Sequence, residues 1–252
     1  MNTQQLLFEM RYCAAFILVL IILVITETRG ENHTPQCWNN ETKAEEFAHI
    51  AIIKHDDCDH GPHHSRSYGA IISEDYVLTL NEIRGKCESH MVHIGCDASG
   101  KGGYQLNATL KTIGKNKELS LFKLEKPIEH GPLTQPIKIM SAGSKTGDSA
   151  TRHTAMVRED SGILSGQVST ITEENCREML KKHGEAHFLP KGWFCTEDLV
   201  DSCPTYTYST LIIGGELAGL GNNFVKVPER KMISRYIDIA QYKSMIESSM
   251  KN

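Results

Sequence analysis

The sequence of 252 residues predicts an all-β fold, with two antiparallel barrels followed by a C-terminal helix. Short runs rich in β-branched and aromatic residues recur at regular intervals in both halves of the chain. Residues 131–148 contain Gly, Pro and Ser without an apolar run, which is typical of a connector between two halves. Apolar side chains follow helical spacing near the end, at Ile233, Tyr236, Ile237, Ala240 and Met245.

The individual elements follow from local composition. In the first half, strands are predicted at residues 47–53, in a hairpin over 68–80, and at 91–95, 105–113 and 119–124. In the second half they are predicted at residues 163–171, 192–195, 210–213, 217–220 and 224–227. Residues 174–183 predict a short helix, and residues 233–246 the terminal one.

Charge and composition exclude several function classes. The net charge of −4 and the lack of Lys/Arg runs argue against nucleic-acid binding. Because no Gly-rich phosphate loop is present, no cofactor is predicted. One loop is rich in possible metal ligands: His55, Asp56, Asp57, Asp59, His60, His63 and His64. Their spacing fits no standard zinc pattern, so we predict no metal site there.

The N-terminus has the pattern of a secretory signal peptide. Arg11 precedes an apolar run over residues 13–25, and a polar stretch follows. The run is shorter than the roughly 18–20 residues that a membrane span needs, although an uncleaved anchor is the alternative. We predict a signal peptide over residues 1–29 and an irregular arm over residues 30–46.

Secretion gives meaning to two further features. Glycosylation acceptor motifs begin at Asn32, Asn40 and Asn107. The chain has eight cysteines, and removing Cys13 with the signal peptide leaves an odd number, seven. Disulfides are therefore expected, with one cysteine left over or paired between chains.

Residues 47–252 carry degraded versions of several known motifs in the right order. GAIISEDYVLTLNEI over residues 69–83 resembles GGSLIxxxWVLTAAHC, and NKELSLFKLEKP over 116–127 resembles NDIALLKLxxP. DSCPTYTYST over residues 201–210 stands in the place of DSCxGDSGGP. The chain thus resembles secreted, insect-type members of the trypsin/chymotrypsin family. The resemblance implies one homologue domain over residues 47–252, with two six-stranded barrels.

The resemblance also implies that the catalytic triad has been lost. The positions of the family's His, Asp and Ser hold Glu82, Glu118 and Thr207. Glu82 is ionised near neutral pH and cannot shuttle a proton as imidazole does. The Thr207 hydroxyl without an adjacent base is a weak nucleophile, so we predict no catalytic residues.

Neighbouring features of the enzymatic site are altered as well. The resemblance implies that Thr205, Tyr208 and Ser209 replace the glycines of the oxyanion loop, and that Asp201 stands at a trypsin-like specificity position. Tyr206 replaces the activation-pair Asp, and Tyr206 and Tyr208 either fill the vacated pocket or form an exposed contact surface. Residues 219–223 lead straight into 224–227, which resemble V-Y-T-K-V, so one wall of the substrate cleft is expected to be missing.

The resemblance implies a partial disulfide framework. The family's bridge beside the catalytic His is lost at both ends, at Ser67 and Ile83. The expected bridges are Cys176–Cys195, Cys58–Cys96 and Cys37–Cys203. Cys87 is then the odd cysteine, although connectivity cannot be deduced from sequence.

These features lead to the hypothesis of a secreted, catalytically inactive serine protease homologue that works by binding extracellular proteins. Such homologues act as cofactors, decoys or scaffolds in proteolytic networks of immunity or reproductive fluid. The chain has no cysteine-rich module before residue 47, which favours a seminal-fluid or other gland secretion at least as much as immunity. The alternatives are an active serine-type endopeptidase with atypical residues, and a membrane-anchored protein whose signal is not cleaved.

Overall fold

The computed structural model describes eleven parts of the chain: residues 44–56, 66–81, 87, 89–96, 102–114, 118–141, 147–155, 163–182, 189–198, 208–226 and 232–251. All of them fall within one compact unit, Cys37–Asn252. The predicted signal peptide and most of the predicted arm lie outside the described residues. So do several predicted site residues: Asn32, Cys37, Asn40, Cys58, Glu82, Asp201, Cys203 and Thr207.

The first barrel is built from six antiparallel strands and is closed in the order β1-β2-β3-β6-β5-β4. The strands are β1 Ile50–Asp56, β2 Arg66–Ile71, β3 Tyr76–Leu80, β4 Ser89–Ile94, β5 Tyr104–Ile113 and β6 Leu119–Leu124. Their inward positions are apolar and buried, with Phe122 and Leu106 among the largest side chains of this core. Alternate positions of β5 face solvent, which gives the two-residue period of a half-buried strand.

The second barrel repeats this architecture, with six antiparallel strands in the order β10-β11-β12-β9-β8-β7. Its strands are β7 Ser149–Ala155, β8 Ile163–Ile171, β9 Trp193–Asp198, β10 Tyr208–Ile213, β11 Glu216–Lys226 and β12 Met232–Asp238. The two closed barrels confirm the predicted fold class.

The connector between the barrels is hydrogen-bonded through its backbone to one strand of each barrel. The Ile137 N–H donates to the Ile71 carbonyl on β2 at 2.8 Å, and the Leu217 N–H on β11 donates to the Lys138 carbonyl at 2.8 Å. The apolar side chains of Ile137 and Ile139 join a buried cluster with residues from both barrels. Burial of this cluster stabilises the junction, since removal of apolar area from water lowers the free energy of the folded state.

Helix α1, Glu173–Lys182, confirms the helix predicted near the same residues. The Thr172 hydroxyl caps its start by accepting a hydrogen bond from the Asn175 N–H at 2.9 Å. The C-terminal helix α2 spans only Lys243–Met250, after a short 3₁₀ turn at Ile239–Tyr242. Among the helices that can be described, none is long and apolar enough to cross a membrane.

The predicted helix over residues 233–246 is wrong in its first half. Residues 233–237 belong to β12, which lies between β9 and β11 and is buried on both faces. A strand buried on both faces carries a continuous apolar run, and a short run of this kind is not distinguished from a helix by its periodicity.

The course of β11 corrects a second expectation. β11 is one strand of eleven residues that continues past a bulge between Gly221 and Asn223 and pairs with β12 down to Lys226. The strand before the terminal helix is therefore β12 and not residues 224–227. The inference that a wall of the cleft is missing rested on the wrong strand and is withdrawn.

Candidate functional site

Glu118, which the resemblance sets at the position of the orienting carboxylate, lies directly before β6 and next to the end of β3. The Asn81 N–H donates to the Glu118 carbonyl at 2.8 Å. The Ser120 hydroxyl donates to the Asn81 side-chain oxygen at 3.0 Å, which fixes the amide against β6. Glu82 follows Asn81 in the chain. The position expected to hold the base therefore comes directly after Asn81, whose backbone is hydrogen-bonded to Glu118 at the position expected for the orienter.

The side chain of Glu118 is engaged by the C-terminal segment. Its carboxylate accepts a hydrogen bond from the hydroxyl of Tyr242, at the end of the 3₁₀ turn. Partial burial raises the pKa of Tyr242, and the negative charge and hydrogen bond of Glu118 raise it further. The carboxylate also lies against Gly114, whose φ of +99° and lack of Cβ leave room for it.

The surroundings of the Glu118 carboxylate differ from those of an orienting carboxylate. An orienter accepts the ring N–H of a catalytic histidine and holds the imidazole toward the nucleophile. Here Tyr242 donates to the Glu118 carboxylate, and the residue after Asn81 is Glu82 rather than histidine. The Glu118 side chain therefore has a structural part: it connects Tyr242 of the C-terminal segment with the turn between β5 and β6.

The nucleophile side of the site is described from Tyr208 onward, because Asp201 and Thr207 lie outside the described residues. The Ser209 hydroxyl donates to the hydroxyl of Tyr236 at 3.2 Å. Tyr236 is fully buried and stacks on Phe194, with ring centroids 5.8 Å apart. An aromatic pair therefore occupies the core of the second barrel directly beneath the start of β10.

The sequence did not identify Tyr236 or Tyr242 as parts of this region. Both lie in the segment predicted as helix, where an aromatic residue indicates only a packed face. One signal was present in Gly219 and Gly221, since glycines inside a strand indicate a close approach. A Cβ added at Gly221 would lie 2.5 Å from the Arg235 carbonyl oxygen and 2.7 Å from the Tyr236 ring.

The predicted Cys176–Cys195 disulfide is confirmed. It joins α1 to β9 with a Cα–Cα distance of 5.9 Å, within the usual range for a disulfide. Both cysteines are fully buried and pack with Leu180, Leu189 and Ile233. The bridge therefore fixes the helix onto the outside of the second barrel.

The other cysteines correct two expectations. Cys96 is buried as a thiol, so the predicted Cys58–Cys96 bridge is not the pairing that the structure has. Cys87, taken from the sequence as the odd cysteine, is disulfide-bonded. The predicted Cys58–Cys96 pairing was wrong because it assumed only that two loops are neighbours. The correct partner depends on the register of β1 against β4, which the sequence does not show. The Cys37–Cys203 pairing lies outside the described residues and stays a prediction.

The strand register predicts the partner of Cys87. β1 pairs with β4 through Asp56 opposite Ser89, and continuing that register by two residues sets position 58 opposite position 87. We expect non-reducing peptide mapping to find a Cys58–Cys87 cross-link. A cross-link from Cys87 to Cys37 or Cys203 would contradict this pairing, and a reduced and alkylated sample serves as the control.

One predicted glycosylation acceptor is described. Asn107 is exposed on β5, and its amide nitrogen donates to the Glu125 carboxylate at 3.1 Å. Exposure makes the acceptor accessible to the modifying enzyme, so the prediction of a glycan at Asn107 stands as an expectation.

Comparison with known proteins identifies the architecture. The structure superposes on the scabies mite inactivated protease paralogue S-D1 with a TM-score of 0.68 and 14% identity, over 83% of this chain and 95% of that one. Kallikrein-related peptidase 10 gives 0.63 and 14% identity, over 82% of this chain and 96% of that chain. Neuropsin, a serine protease of mouse brain, gives 0.66 and 14% identity, over 83% and 97%.

No protein-family model and no curated protein sequence matches the chain. At 14% identity, the superpositions establish the fold and not the activity. The two closed six-stranded barrels with a C-terminal helix are therefore the fold of the trypsin-like serine proteases.

Proposed function

We propose that this chain is a secreted, non-catalytic serine protease homologue that acts by binding extracellular proteins. The observation that carries the proposal is the sequence at the three expected triad positions, where Glu82, Glu118 and Thr207 stand in place of histidine, aspartate and serine. The site is then without a histidine base and without a serine nucleophile. The hydrogen bond from Tyr242 to the Glu118 carboxylate is consistent with a structural part for this residue.

The fold supports a binding role because its scaffold is intact. Both barrels are closed, and their cores contain large buried side chains such as Phe122, Leu121, Leu211 and Tyr236. A scaffold of this kind holds its surface loops in fixed positions, and binding residues concentrate on such loops. One protein of the same fold is itself an inactivated protease paralogue, so the architecture persists without the activity.

The extracellular setting rests on the sequence. The signal-peptide pattern over residues 1–29 and three glycosylation acceptor motifs all favour secretion. Buried Cys176–Cys195 is consistent with an oxidising compartment. We propose a cofactor, decoy or scaffold role in a proteolytic network of seminal fluid or immunity, with proteases or other homologues as binding partners.

The test of the proposal is active-site labelling of the secreted protein. The mature chain is purified from the medium of secreting cells and incubated with a fluorophosphonate probe, with trypsin as the positive control. We expect no label on this chain and no hydrolysis of a peptide library above the buffer rate. Labelling at Thr207, abolished by Thr207→Ala, would establish an active serine-type endopeptidase and overturn the proposal.

A further inference from the structure

A buried polar cluster crosses three neighbouring strands of the first barrel, outside the site described above. His55 on β1 lies between Ser67 on β2 and His90 on β4. Its Nε2 is 2.9 Å from the Ser67 hydroxyl, and its Nδ1 is 3.0 Å from the Nδ1 of His90. Both ring nitrogens of His55 are therefore in hydrogen bonds.

The two imidazoles form the cross-strand pair at the end of the β1–β4 contact, where His55 stands opposite His90. Their rings meet edge to face with centroids 5.1 Å apart, and the His90 ring contacts Phe122 at 5.2 Å in the same manner. His55 is 4% exposed. The pair therefore lies between neighbouring strands against Phe122, with His55 buried and His90 partly exposed.

The short Nδ1–Nδ1 distance limits the protonation states that the pair can adopt. One Nδ1 must carry the hydrogen and the other must accept it, so the fully neutral pair satisfies the contact. A single added proton keeps a donor and an acceptor but introduces a charge into a buried place. A second proton sets two N–H groups against each other, and that contact cannot persist.

We propose that the His55–His90 pair is an acid-sensitive junction, which holds β4 against β1 at neutral pH and releases this edge of the first barrel in acid. β1 and β4 are neighbours in the closed ring of six strands, so loss of their pairing opens the barrel at this position. Release of this pair leaves the other strand pairs intact.

The charged groups around the two histidines leave the pKa of both below the ordinary value. Burial and, to a smaller extent, the neighbouring His90 lower the pKa of His55 to about 4, against the opposing influence of Asp56. Burial also lowers the pKa of His90, again against the influence of Asp56. Asp56 is exposed and accepts a hydrogen bond from the Ser89 hydroxyl, while Arg66 and Lys54 face each other on β2 and β1.

The direction of the pH dependence follows from these shifts. A histidine whose folded-state pKa lies below its unfolded value of 6.5 takes up its proton more readily when the strand is open. The stabilisation is complete above pH 6.5 and is lost progressively as the pH falls toward 4. The difference between 6.5 and about 4 corresponds to roughly a 300-fold change in the opening equilibrium.

The test is hydrogen exchange on the full secreted chain between pH 7 and pH 4, with rates corrected for the intrinsic effect of pH. We expect protection factors of amides in β1 and β4 to fall by roughly 100-fold, because pH 4 lies at the folded-state pKa of His55 and not below it, while those in β8 and β9 of the second barrel fall much less. Equal loss of protection in both barrels, or no loss in β1 and β4, would overturn the proposal.

Two variants test whether the pH dependence of exchange arises from the His55–His90 pair. His55→Gln keeps a side chain that donates and accepts hydrogen bonds but does not titrate, so most of the pH dependence in β1 and β4 is expected to disappear. His90→Gln, a second variant in case the first fails to fold, removes the two-proton state and is expected to reduce the dependence. The exposed His130→Gln is the matched control and should behave as the wild type. An unchanged pH dependence in a folded His55→Gln variant would contradict the proposal.

Discussion

A chain in which the triad is restored by Glu82→His, Glu118→Asp and Thr207→Ser is expected to remain inactive. Restoring three side chains does not restore the backbone that stabilises the developing negative charge in acyl transfer. Loss of one oxyanion donor costs about 10²–10³ in kcat, and the resemblance implies that three glycine positions of this loop are substituted. The measurement is fluorophosphonate labelling and peptide hydrolysis by the purified triple variant.

The contact between Glu118 and Tyr242 adds a second reason. Aspartate is shorter than glutamate by one methylene group, so Glu118→Asp draws the carboxylate away from the Tyr242 hydroxyl. The terminal segment then loses an anchor at the moment when the orienter is introduced. A charge-assisted hydrogen bond of this kind contributes about 1.5–3 kcal/mol, with a lower value expected at this half-buried position.

A matched pair of variants separates side chains from backbone. The first is the triple variant, and the second adds glycines at Thr205, Tyr208 and Ser209 and aspartate at Tyr206. We expect any gain in labelling only in the second variant. Rapid labelling of the triple variant would mean that the loop already holds a working oxyanion site. It would contradict the expectation that the loop backbone prevents catalysis.

The sequence predicted most of the fold for a physical reason. In β5, exposed and buried residues alternate, and the hairpin around Ser73 has polar residues at its turn, so period and turn chemistry agree. The failure occurred in β12, because burial on both faces removes the alternation on which strand prediction depends. Because β12 was predicted as helix, residues 224–227 were taken as the strand before the terminal helix, although residues 224–226 belong to β11.

The candidate site was predicted only in part. Glu118 was assigned its position from a local motif, and that assignment stays a prediction; the Asn81 N–H donates to its carbonyl at the end of β3. Its partner Tyr242 lies more than a hundred residues away in sequence, and no local pattern reports such a contact. The pairing of Cys87 was also inaccessible, because strand register depends on the complete barrel.

Replacement of Tyr236 by alanine is expected to destabilise the protein by about 3–5 kcal/mol, the cost of truncating a large buried aromatic side chain. The ring is 0% exposed, it stacks on Phe194, and Gly219 and Gly221 approach it so closely that a Cβ at either position would meet its atoms at 2.7–2.9 Å. The cavity left by alanine cannot be filled by a neighbour without moving β11. Urea unfolding of the purified variant measures the change in free energy.

Two control variants make this result specific. Tyr236→Phe keeps the ring and removes only the hydroxyl that accepts from Ser209, so a loss of about 1 kcal/mol is expected. Met245→Ala, at a side chain that is 43% exposed, should change the free energy of unfolding by less than about 0.5 kcal/mol. If Tyr236→Ala were as stable as Met245→Ala, the second barrel would not depend on this core. The intact second-barrel scaffold that supports the proposed binding role would then need a different source of stability.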